Sequence, residues 1–301
     1  MSGRVLPSWR PGRARDRLLD FLSEVEQVPL TERVAVFDND GTLWCEKPTY
    51  PQLQFFVEEL RTAVEARPEL GARPEYAAVL AGNRQAIDDM GAAPVAMALV
   101  ELFEGLAPAE FTARVQRFFA VARHPERGVP YGALLYAPML ELLDALVDLD
   151  FRVFLVTAGG ADFVRAVSQE LYGVPSERVV GSRVNYDAIR RNGALDLVRT
   201  SELDGDPNEG PAKLPGIQAQ IGQRPIVAGG NSPGDADMLE YVSTGTGPTL
   251  ALLVDHDDEA REYAYEGVAG TFEASEPVLD AADRLNWLVV SMRNDWTRIF
   301  D

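Results

Sequence analysis

Two aspartates, Asp38 and Asp40, stand two positions apart directly after a short run of β-prone apolar residues, Val34-Ala35-Val36-Phe37. Such a run predicts a buried strand, and side chains at positions i and i+2 of an extended segment point to the same side. The two carboxyl groups then face one cavity, where they repel each other unless one is protonated or a cation lies between them. Mg2+ is held by few protein groups other than carboxylates, and it keeps waters and takes phosphate oxygens. The alternative is an ordinary turn with both acids solvated.

A hydroxyl group follows the next predicted core strand, Phe151 to Thr157, where Thr157 is followed by Ala158 and Gly159 and then by a predicted helix. A hydroxyl group together with backbone N–H groups at a helix N-terminus can bind an anion. An ordinary helix N-cap explains the same residues. The segment is therefore a candidate phosphate site with a structural alternative.

Lysine is rare in this chain, because only Lys47 and Lys213 among its 28 basic residues are lysines. Lysine and arginine are not interchangeable, so a lysine in an arginine-rich chain suggests a need for a compact ammonium group. Lys213 stands at a predicted junction between a loop and a helix, where it can neutralise a phosphate and a carboxylate together. The alternative is a surface lysine.

A glycine-rich stretch, residues 228–239, follows a further predicted strand and contains Asn231, Asp235 and Asp237. Oxygen ligands on a flexible loop suit a hard cation. Asp237 is a spare acid nearby, and a charge at the N-terminus of the following helix explains it equally well. This stretch is the fourth candidate part of one site.

The elements that would position these residues form an alternating series of strands and helices from about residue 137 onward, after a first helix over residues 16–28 and the strand into Asp38. Alternation over this length predicts an α/β fold with a mainly parallel, doubly wound (Rossmann-like) sheet. Residues 183–204 interrupt it as a predicted hairpin that turns at Arg191-Asn192-Gly193.

Between the first and second candidate segments, apolar residues recur at three- and four-residue spacing and β-branched runs are absent, which predicts an inserted helical unit. We therefore divide the chain into an α/β core, residues 1–47 and 128–301, and a helical unit, residues 48–127. The helices predicted in this unit are 52–66, 75–90, 94–102 and 108–121.

Composition narrows the class of protein. A formal net charge of −19 argues against nucleic-acid or anionic-membrane binding, because the overall field repels polyanions. The single cysteine, Cys45, allows no intramolecular disulfide, and no apolar run has the length of a signal-peptide core or a membrane span. We expect a cytoplasmic protein.

His124 and His256 are the only histidines, so a multi-histidine metal site is impossible. Both have sequence contexts typical of surface residues.

The string Val36-Phe37-Asp38-Asn39-Asp40-Gly41-Thr42-Leu43-Trp44 closely resembles the first motif of the haloacid dehalogenase-like (HAD) hydrolases, a family dominated by Mg2+-dependent phosphatases. The resemblance covers four motifs in the family's order. It implies that Asp38 is the nucleophile and Asp40 the general acid/base. Thr157, with Ala158 and Gly159, and Lys213 would bind the phosphoryl group, and the metal ligands would be Asp38, Asp40, Asn231 and Asp235.

The fourth motif departs from the family's commonest pattern, because Asn231 stands where an acid is usual. An amide oxygen can ligate Mg2+ but contributes no charge, so the departure suggests weaker metal binding. The family also inserts a helical cap between its first and second motifs, and residues 48–127 are similar to that cap. The resemblance extends to residues 130–146 and to the tail, residues 294–300, which are similar to uncharacterised bacterial members.

The function implied is Mg2+-dependent hydrolysis of a small phosphomonoester through an aspartyl-phosphate. A dehalogenase is disfavoured because that chemistry does not need Asp40, whereas a phosphotransferase or phosphonate hydrolase stays open. A catalytically weak protein that binds a phosphate ligand is the alternative from another class, and Asn231 motivates it. Trp44 and Lys47 border the entrance, where substrate contact and structural packing are equally plausible, and Cys45 is expected to pack beside the motif. The oligomeric state is open.

Overall fold

The computed structural model describes residues 5–300, apart from the side chains of Asp88 and Ala92. Within this range six parallel strands form one sheet in the order β3-β2-β1-β6-β7-β8, and β4 and β5 form a separate antiparallel hairpin. The strands are β1 (Val34–Phe37), β2 (Arg152–Gly160), β3 (Val179–Ser182), β4 (Val184–Arg191), β5 (Ala194–Leu203), β6 (Val227–Gly230), β7 (Leu250–Asp255) and β8 (Leu288–Ser291).

Strand β1 lies in the middle of the sheet and its four residues are all buried. Alternate side chains enter different cores: Ala35 and Phe37 pack on one face, and Val34 and Val36 pack on the other. A parallel strand that is buried on both faces reads as a continuous apolar run, which explains the sequence Val-Ala-Val-Phe. The doubly wound (Rossmann-like) α/β fold predicted from the sequence is confirmed.

Helices cover both faces of the sheet, and further helices form a unit beside it. The first apolar core lies against α1 and α7, and the second lies against α10, α11 and α12. The helices are α1 (Arg13–Glu24), α2 (Pro51–Ala66), α3 (Pro74–Ala81), α4 (Arg84–Met90), α5 (Ala92–Glu101), α6 (Pro108–Val121), α7 (Ala137–Asp148), α8 (Ala161–Arg165), α9 (Ser168–Tyr172), α10 (Lys213–Ile221), α11 (Ala236–Ser243), α12 (Val278–Arg284) and α13 (Met292–Asp295).

Helices α2 to α6 occupy the stretch that the sequence predicts to be helical, and part of this unit has an apolar core of its own around Leu60, Tyr76 and Leu99. The prediction of one helix over residues 75–90 was wrong. Gly82 ends α3 in the left-handed conformation, with φ of 60°, and α4 starts two residues later. A glycine at this position commonly ends a helix because it adopts positive φ without a Cβ clash.

The hairpin formed by β4 and β5 turns at Asn192-Gly193, as predicted, with φ of 53° and 84°. The hairpin projects from the α/β core and also packs against the helical unit. The N–H of Gly105 donates to the carbonyl of Arg199 at 2.8 Å, and the N–H of Arg199 donates to the carbonyl of Leu106 at 2.8 Å. Segments that are far apart in sequence are therefore joined beside the carboxyl edge of the sheet.

The chain enters the sheet at β1, builds outward through β2 and β3, and then returns to the opposite side of β1 through β6. The point where the strand order reverses lies between β1 and β6, and ligands of open α/β sheets bind in the crevice at such a point. Phe37 is in register with Leu155 and Gly229, so the residues that follow these strands meet at one edge. This register brings the loops after β1, β2 and β6 together.

Candidate active site

The loops at the carboxyl edge of the sheet surround a cavity of about 480 Å³. The structure brings all the residues predicted from the sequence to be catalytic, phosphate-binding or metal-binding to its wall. These are Asp38, Asp40, Thr157, Ala158, Gly159, Lys213, Asn231 and Asp235.

The ammonium group of Lys213 is the centre of the buried end of this cavity. The Lys213 side chain is 1% exposed, and its Nζ donates to Oδ1 of Asp38 at 2.8 Å, to Oδ1 of Asp235 at 2.5 Å and to the carbonyl of Val156 at 2.9 Å. These three contacts use all three ammonium hydrogens. Burial lowers the pKa of Lys213, but the adjacent Asp235 and Asp38 carboxylates outweigh it and raise the pKa overall. Lys213 is thus a fixed positive charge.

Asp38 follows β1 directly, and its backbone N–H donates to the carbonyl of Gly229 at 2.9 Å. Burial, and then repulsion from the Asp235 carboxylate, raise the pKa of Asp38 well above its usual range, and Lys213 offsets this only in part. Burial disfavours the ionised form of Asp38, and the two carboxylates have only one ammonium group between them. A further cation beside Asp38 would favour its ionised form.

Asp235 organises the loop after β6 as well as pairing with Lys213. Its Oδ2 accepts hydrogen bonds from the N–H of Asn231 at 2.9 Å, the N–H of Ser232 at 3.0 Å and the hydroxyl of Ser232 at 3.1 Å. With Ser232 it forms a capping box at the start of the turn Pro233–Asp235. Little capacity remains on this carboxylate for a further direct ligand.

Asp40 faces the same cavity from the loop after β1. Its Oδ1 accepts a hydrogen bond from Nε1 of Trp44 at 2.8 Å. Burial raises the pKa of Asp40 to about 6, although the bond from Trp44 acts in the opposite direction. Trp44 is itself buried and stacks on Phe119, with 5.6 Å between ring centroids. Its role in the structure is to orient Asp40.

Thr157 ends the buried part of β2, and its Oγ1 accepts a hydrogen bond from the N–H of Gly159 at 2.9 Å. The carbonyl of Thr157 accepts a hydrogen bond from Nδ2 of Asn208 at 3.0 Å, so a side chain of a later loop holds this end of the strand. Gln52 closes this part of the cavity, since its Oε1 accepts from the N–H of Gly160 at 2.8 Å. A side chain of α2 therefore meets the loop where an anion would bind.

Asn231 brings its amide into the same cavity, and its Oδ1 accepts a hydrogen bond from the hydroxyl of Thr42 at 3.2 Å. Its Nδ2 is buried without a hydrogen-bond partner among the residues that the structure describes. A Cβ atom on Gly41 would lie 2.1 Å from this Nδ2 and 3.1 Å from the carboxyl carbon of Glu46. Gly41 thus permits the close approach of the first and fourth motifs.

The donor set of this cavity fits a hard divalent cation only if it includes the Asn231 amide. Among the side chains that the structure describes, no three of histidine, cysteine, aspartate or glutamate converge to hold a metal ion by themselves. Carboxylate, amide and backbone oxygens are the ligands that Mg2+ takes. The amide oxygen of Asn231 and the two carboxylates that share Lys213 are ligands of this kind.

The expectation that both histidines are surface residues was wrong. His124 and His256 are buried, and each bonds a carbonyl of the loop between β1 and α2: His124 Nε2 lies 2.6 Å from the carbonyl oxygen of Lys47, and His256 Nε2 lies 2.7 Å from that of Gly41. Buried carbonyl groups need hydrogen-bond partners, and the two histidines supply them for these two carbonyls. The sequence around each histidine carries no sign of this long-range contact.

His256 is held in turn by a buried carboxylate. Its Nδ1 lies 3.2 Å from Oε2 of Glu262, whose Oε1 accepts a hydrogen bond from the hydroxyl of Tyr136 at 3.0 Å. Burial raises the pKa of Glu262, but the contacts with His256, together with further hydrogen bonds, lower it overall. This network fixes the loop that carries Asp38 and Asp40.

The remaining residues near the entrance have packing roles in the structure. Cys45 is buried beside the motif, as expected. The ammonium of Lys47 lies 3.1 Å from Oε1 of Glu46 and 4.2 Å from the ring centroid of Tyr265, and Lys47 does not line the cavity.

Sequence reasoning missed several polar residues of the cavity wall, among them Glu46, Gln52 and Glu209. Glu209 accepts hydrogen bonds from the N–H groups of Gly270 and Thr271, both at 2.8 Å, and so holds that loop over the cavity. Glu46 follows the first motif closely, and that proximity was the one available signal. Gln52 and Glu209 lie in ordinary helical and loop contexts that give no signal.

The fold is that of a doubly wound α/β protein with a polar cavity at the carboxyl edge of its sheet, and comparison of the sequence with known families identifies the class. The family described as haloacid dehalogenase-like hydrolase matches residues 35–240. The chain belongs to this family. The matched range begins within β1 and ends within α11, so it contains all four candidate segments. No curated protein matches the sequence.

Solved structures share the fold at low sequence identity. A protein with unknown function from Bordetella pertussis Tohama I has 17% identity and a TM-score of 0.52, over 86% of this chain and 98% of that chain. A conserved functionally unknown protein from Anaerococcus prevotii DSM 20548 has 14% identity and a TM-score of 0.56, over 89% of this chain and 87% of that chain. At these identities the likeness concerns the fold alone. Within the described residues, no helix is both long and apolar enough to cross a membrane.

Proposed function

We propose that this hydrolase is a Mg2+-dependent phosphatase that cleaves a small phosphomonoester through an aspartyl-phosphate on Asp38. The observation that carries the proposal is the contact between Asp38 and the buried ammonium of Lys213, with Asp40 facing the same cavity. A carboxylate held beside a fixed positive charge can approach an anionic phosphoryl group without full electrostatic repulsion.

In this mechanism, a carboxylate oxygen of Asp38 attacks phosphorus in line with the leaving oxygen of the ester. Lys213 and the hydroxyl of Thr157 carry the negative charge on the phosphoryl oxygens, since phosphoryl transfer depends mainly on positioning and electrostatics. Asp40 protonates the leaving alcohol oxygen and then, as a carboxylate, takes a proton from the water that hydrolyses the aspartyl-phosphate. A pKa of about 6 supports this alternation, because both protonation states are then populated near neutral pH.

The metal ion of the proposal would be held by Asp38, by Asn231 and by the backbone carbonyl oxygen of Asp40, which leaves the Asp40 carboxyl free to carry a proton. Asp235, which the resemblance also implies as a ligand, would instead support the loop and share Lys213, because both of its oxygens already accept hydrogen bonds. When bound, Mg2+ would neutralise the phosphoryl oxygens and screen the acids from the substrate. The side-chain oxygen of Asn231 would stand in place of an acid as a ligand, because it lies in the cavity and accepts one hydrogen bond, from Thr42, which leaves a second lone pair.

We further propose that residues 48–127 act as a cap that restricts the site to small substrates, and that the hairpin of β4 and β5 belongs to this cover. Gln52 of α2 contacts the loop after β2, and Arg199 of β5 bonds the helical unit through its backbone. A cover made of two separate insertions excludes water from the reaction and leaves room for a small ester.

The test is phosphate release from small phosphomonoesters, with and without Mg2+, by the natural protein and by Asp38→Asn and Asp237→Asn. Asp237 lies on α11 but does not line the cavity, so Asp237→Asn controls for the general effect of removing an acid. We expect metal-dependent turnover that Asp38→Asn abolishes and Asp237→Asn retains. Turnover that survives Asp38→Asn would refute the mechanism, and binding of esters without turnover would favour a phosphate-binding protein instead.

A further inference from the structure

The outer wall of the active-site cavity is apolar. It is formed by Leu53 and Phe56 of α2, by Ala96 and Leu99 of α5, and by Val268 of the loop that Glu209 holds. Two of these side chains are well exposed, Leu53 at 38% and Val268 at 70%. Apolar side chains left exposed around a cavity commonly mark a place where a ligand binds.

The same cavity has a single cation. Among the described residues that line it, Lys213 alone carries a positive charge, and its three hydrogens are used by Asp38, Asp235 and the carbonyl of Val156. No guanidinium or second ammonium group of the described wall faces the space between the phosphate end and the apolar wall. An additional carboxylate or phosphate on the substrate would therefore lose its water without gaining an ion pair.

Glu46 and Glu209 also line the cavity, and both have partners. Glu46 pairs with Lys47 at 3.1 Å, and Glu209 accepts three hydrogen bonds from Gly270 and Thr271. Because these carboxylates are already engaged, they do not require a cationic substrate. They nevertheless add negative charge to the wall, which increases the cost of bringing in a second anionic group.

We propose that the alcohol part of the substrate is an uncharged alkyl or aryl group that packs on this apolar wall, and that the substrate has no anionic group other than the phosphate. This inference rests on the proposed function for the orientation of the ester, with its phosphate beside Lys213. It excludes phosphorylated amino acids, sugar bisphosphates and nucleoside polyphosphates as preferred substrates.

The experiment compares benzyl phosphate with 4-carboxybenzyl phosphate, which have the same shape at the reacting end and leaving groups of similar reactivity. Affinity is measured by calorimetry on the Asp38→Asn protein, because binding does not need turnover, and kcat/KM is measured on the natural protein. We expect at least about a tenfold preference for benzyl phosphate in both, since a group that loses water without a partner is strongly discriminated against.

A pair of substitutions locates this preference in the wall. Leu53 and Met97 are both apolar residues of the helical unit with similar exposure, 38% and 36%, but only Leu53 lines the cavity. Leu53→Lys places a cation at the wall and is expected to raise the relative affinity for 4-carboxybenzyl phosphate about tenfold. Met97→Lys adds the same charge outside the cavity and is expected to leave the ratio unchanged.

The outcomes separate this inference from the proposed function. Equal or tighter binding of the carboxylated ester, no binding of either ester, or equal effects of the two lysine substitutions would each overturn the inference. Hydrolysis that is lost in Asp38→Asn would still support the phosphatase. Preferential binding of benzyl phosphate without hydrolysis would instead support the inference and refute the proposed function.

Discussion

Replacement of Lys213 by methionine tests the electrostatic centre of the site. Methionine has a similar length and no charge, so Lys213→Met removes the ammonium while keeping much of the packing. It leaves the carboxyl groups of Asp38 and Asp235 facing each other in a buried cavity without a counter-charge. The matched control is Lys47→Met, because Lys47 is the only other lysine of the chain and its side chain is 29% exposed.

The expected loss of stability follows from burial and from the number of contacts. Removing one partner of a buried ion pair costs about 3–5 kcal/mol, because the remaining charge has neither water nor counter-ion. Lys213 serves two carboxylates, so we expect Lys213→Met to reach that range. The pair of Lys47 with Glu46 is partly exposed, and the free energy lost in Lys47→Met is expected to be about 1 kcal/mol or less.

The assay is urea unfolding of the natural protein and both variants in the presence of a chelator, which keeps metal binding out of the comparison. A shift of the midpoint at constant slope reports the change in stability. The deficit of Lys213→Met should shrink as the pH is lowered, because protonation neutralises the two acids. Equal deficits in the two variants, or a deficit in Lys213→Met that does not vary with pH, would refute this description of the site.

Three further predictions concern the loops around the site. In urea unfolding, Gly41→Ala should lower the free energy of unfolding by about 1–2 kcal/mol more than Gly82→Ala does. Both glycines have positive φ, but of the two only Gly41 would bring a Cβ against another side chain, that of Asn231. Asn231→Asp should tighten Mg2+ binding about tenfold by calorimetry and weaken phosphate binding, because it adds a negative charge. The pKa of Glu262 is lower in the folded than in the unfolded protein, so its ionised form stabilises the fold above about pH 4.3. This stabilisation is lost as the pH falls through the folded-state pKa, and the difference in unfolding free energy between the natural protein and Glu262→Gln should then vanish.

The parts of the site that could be predicted from the sequence are those that depend on local pattern. Asp38 and Asn231 follow apolar strands directly, Thr157 ends the buried part of its strand, and the carboxyl ends of parallel strands meet at one edge of the sheet. Lys213 was predicted from its rarity, and the structure places it at the first residue of α10, within reach of Asp38.

The parts that could not be predicted depend on contacts between distant segments. His256 binds the carbonyl of Gly41, 215 positions earlier in the chain, and Gln52 binds the N–H of Gly160, 108 positions later. Neither contact alters the local periodicity from which elements are predicted. The hairpin of β4 and β5 was predicted correctly as an element, but its packing on the helical unit arises from backbone bonds of Arg199, which the sequence does not mark.

The charges of the site give Asn231 a physical meaning beyond weaker metal binding. Apart from Glu46 and Glu209 of the wall, three carboxyl groups, those of Asp38, Asp40 and Asp235, lie in the cavity with one ammonium, that of Lys213. When all are ionised, two negative charges remain, and one divalent cation balances them. An acid at position 231 would bind that cation more tightly but would leave the loaded site negative, which repels a phosphate dianion. In the proposed mechanism the amide would therefore favour approach of the substrate at the expense of metal affinity, which agrees with a described wall that offers no second cation to an anionic substrate.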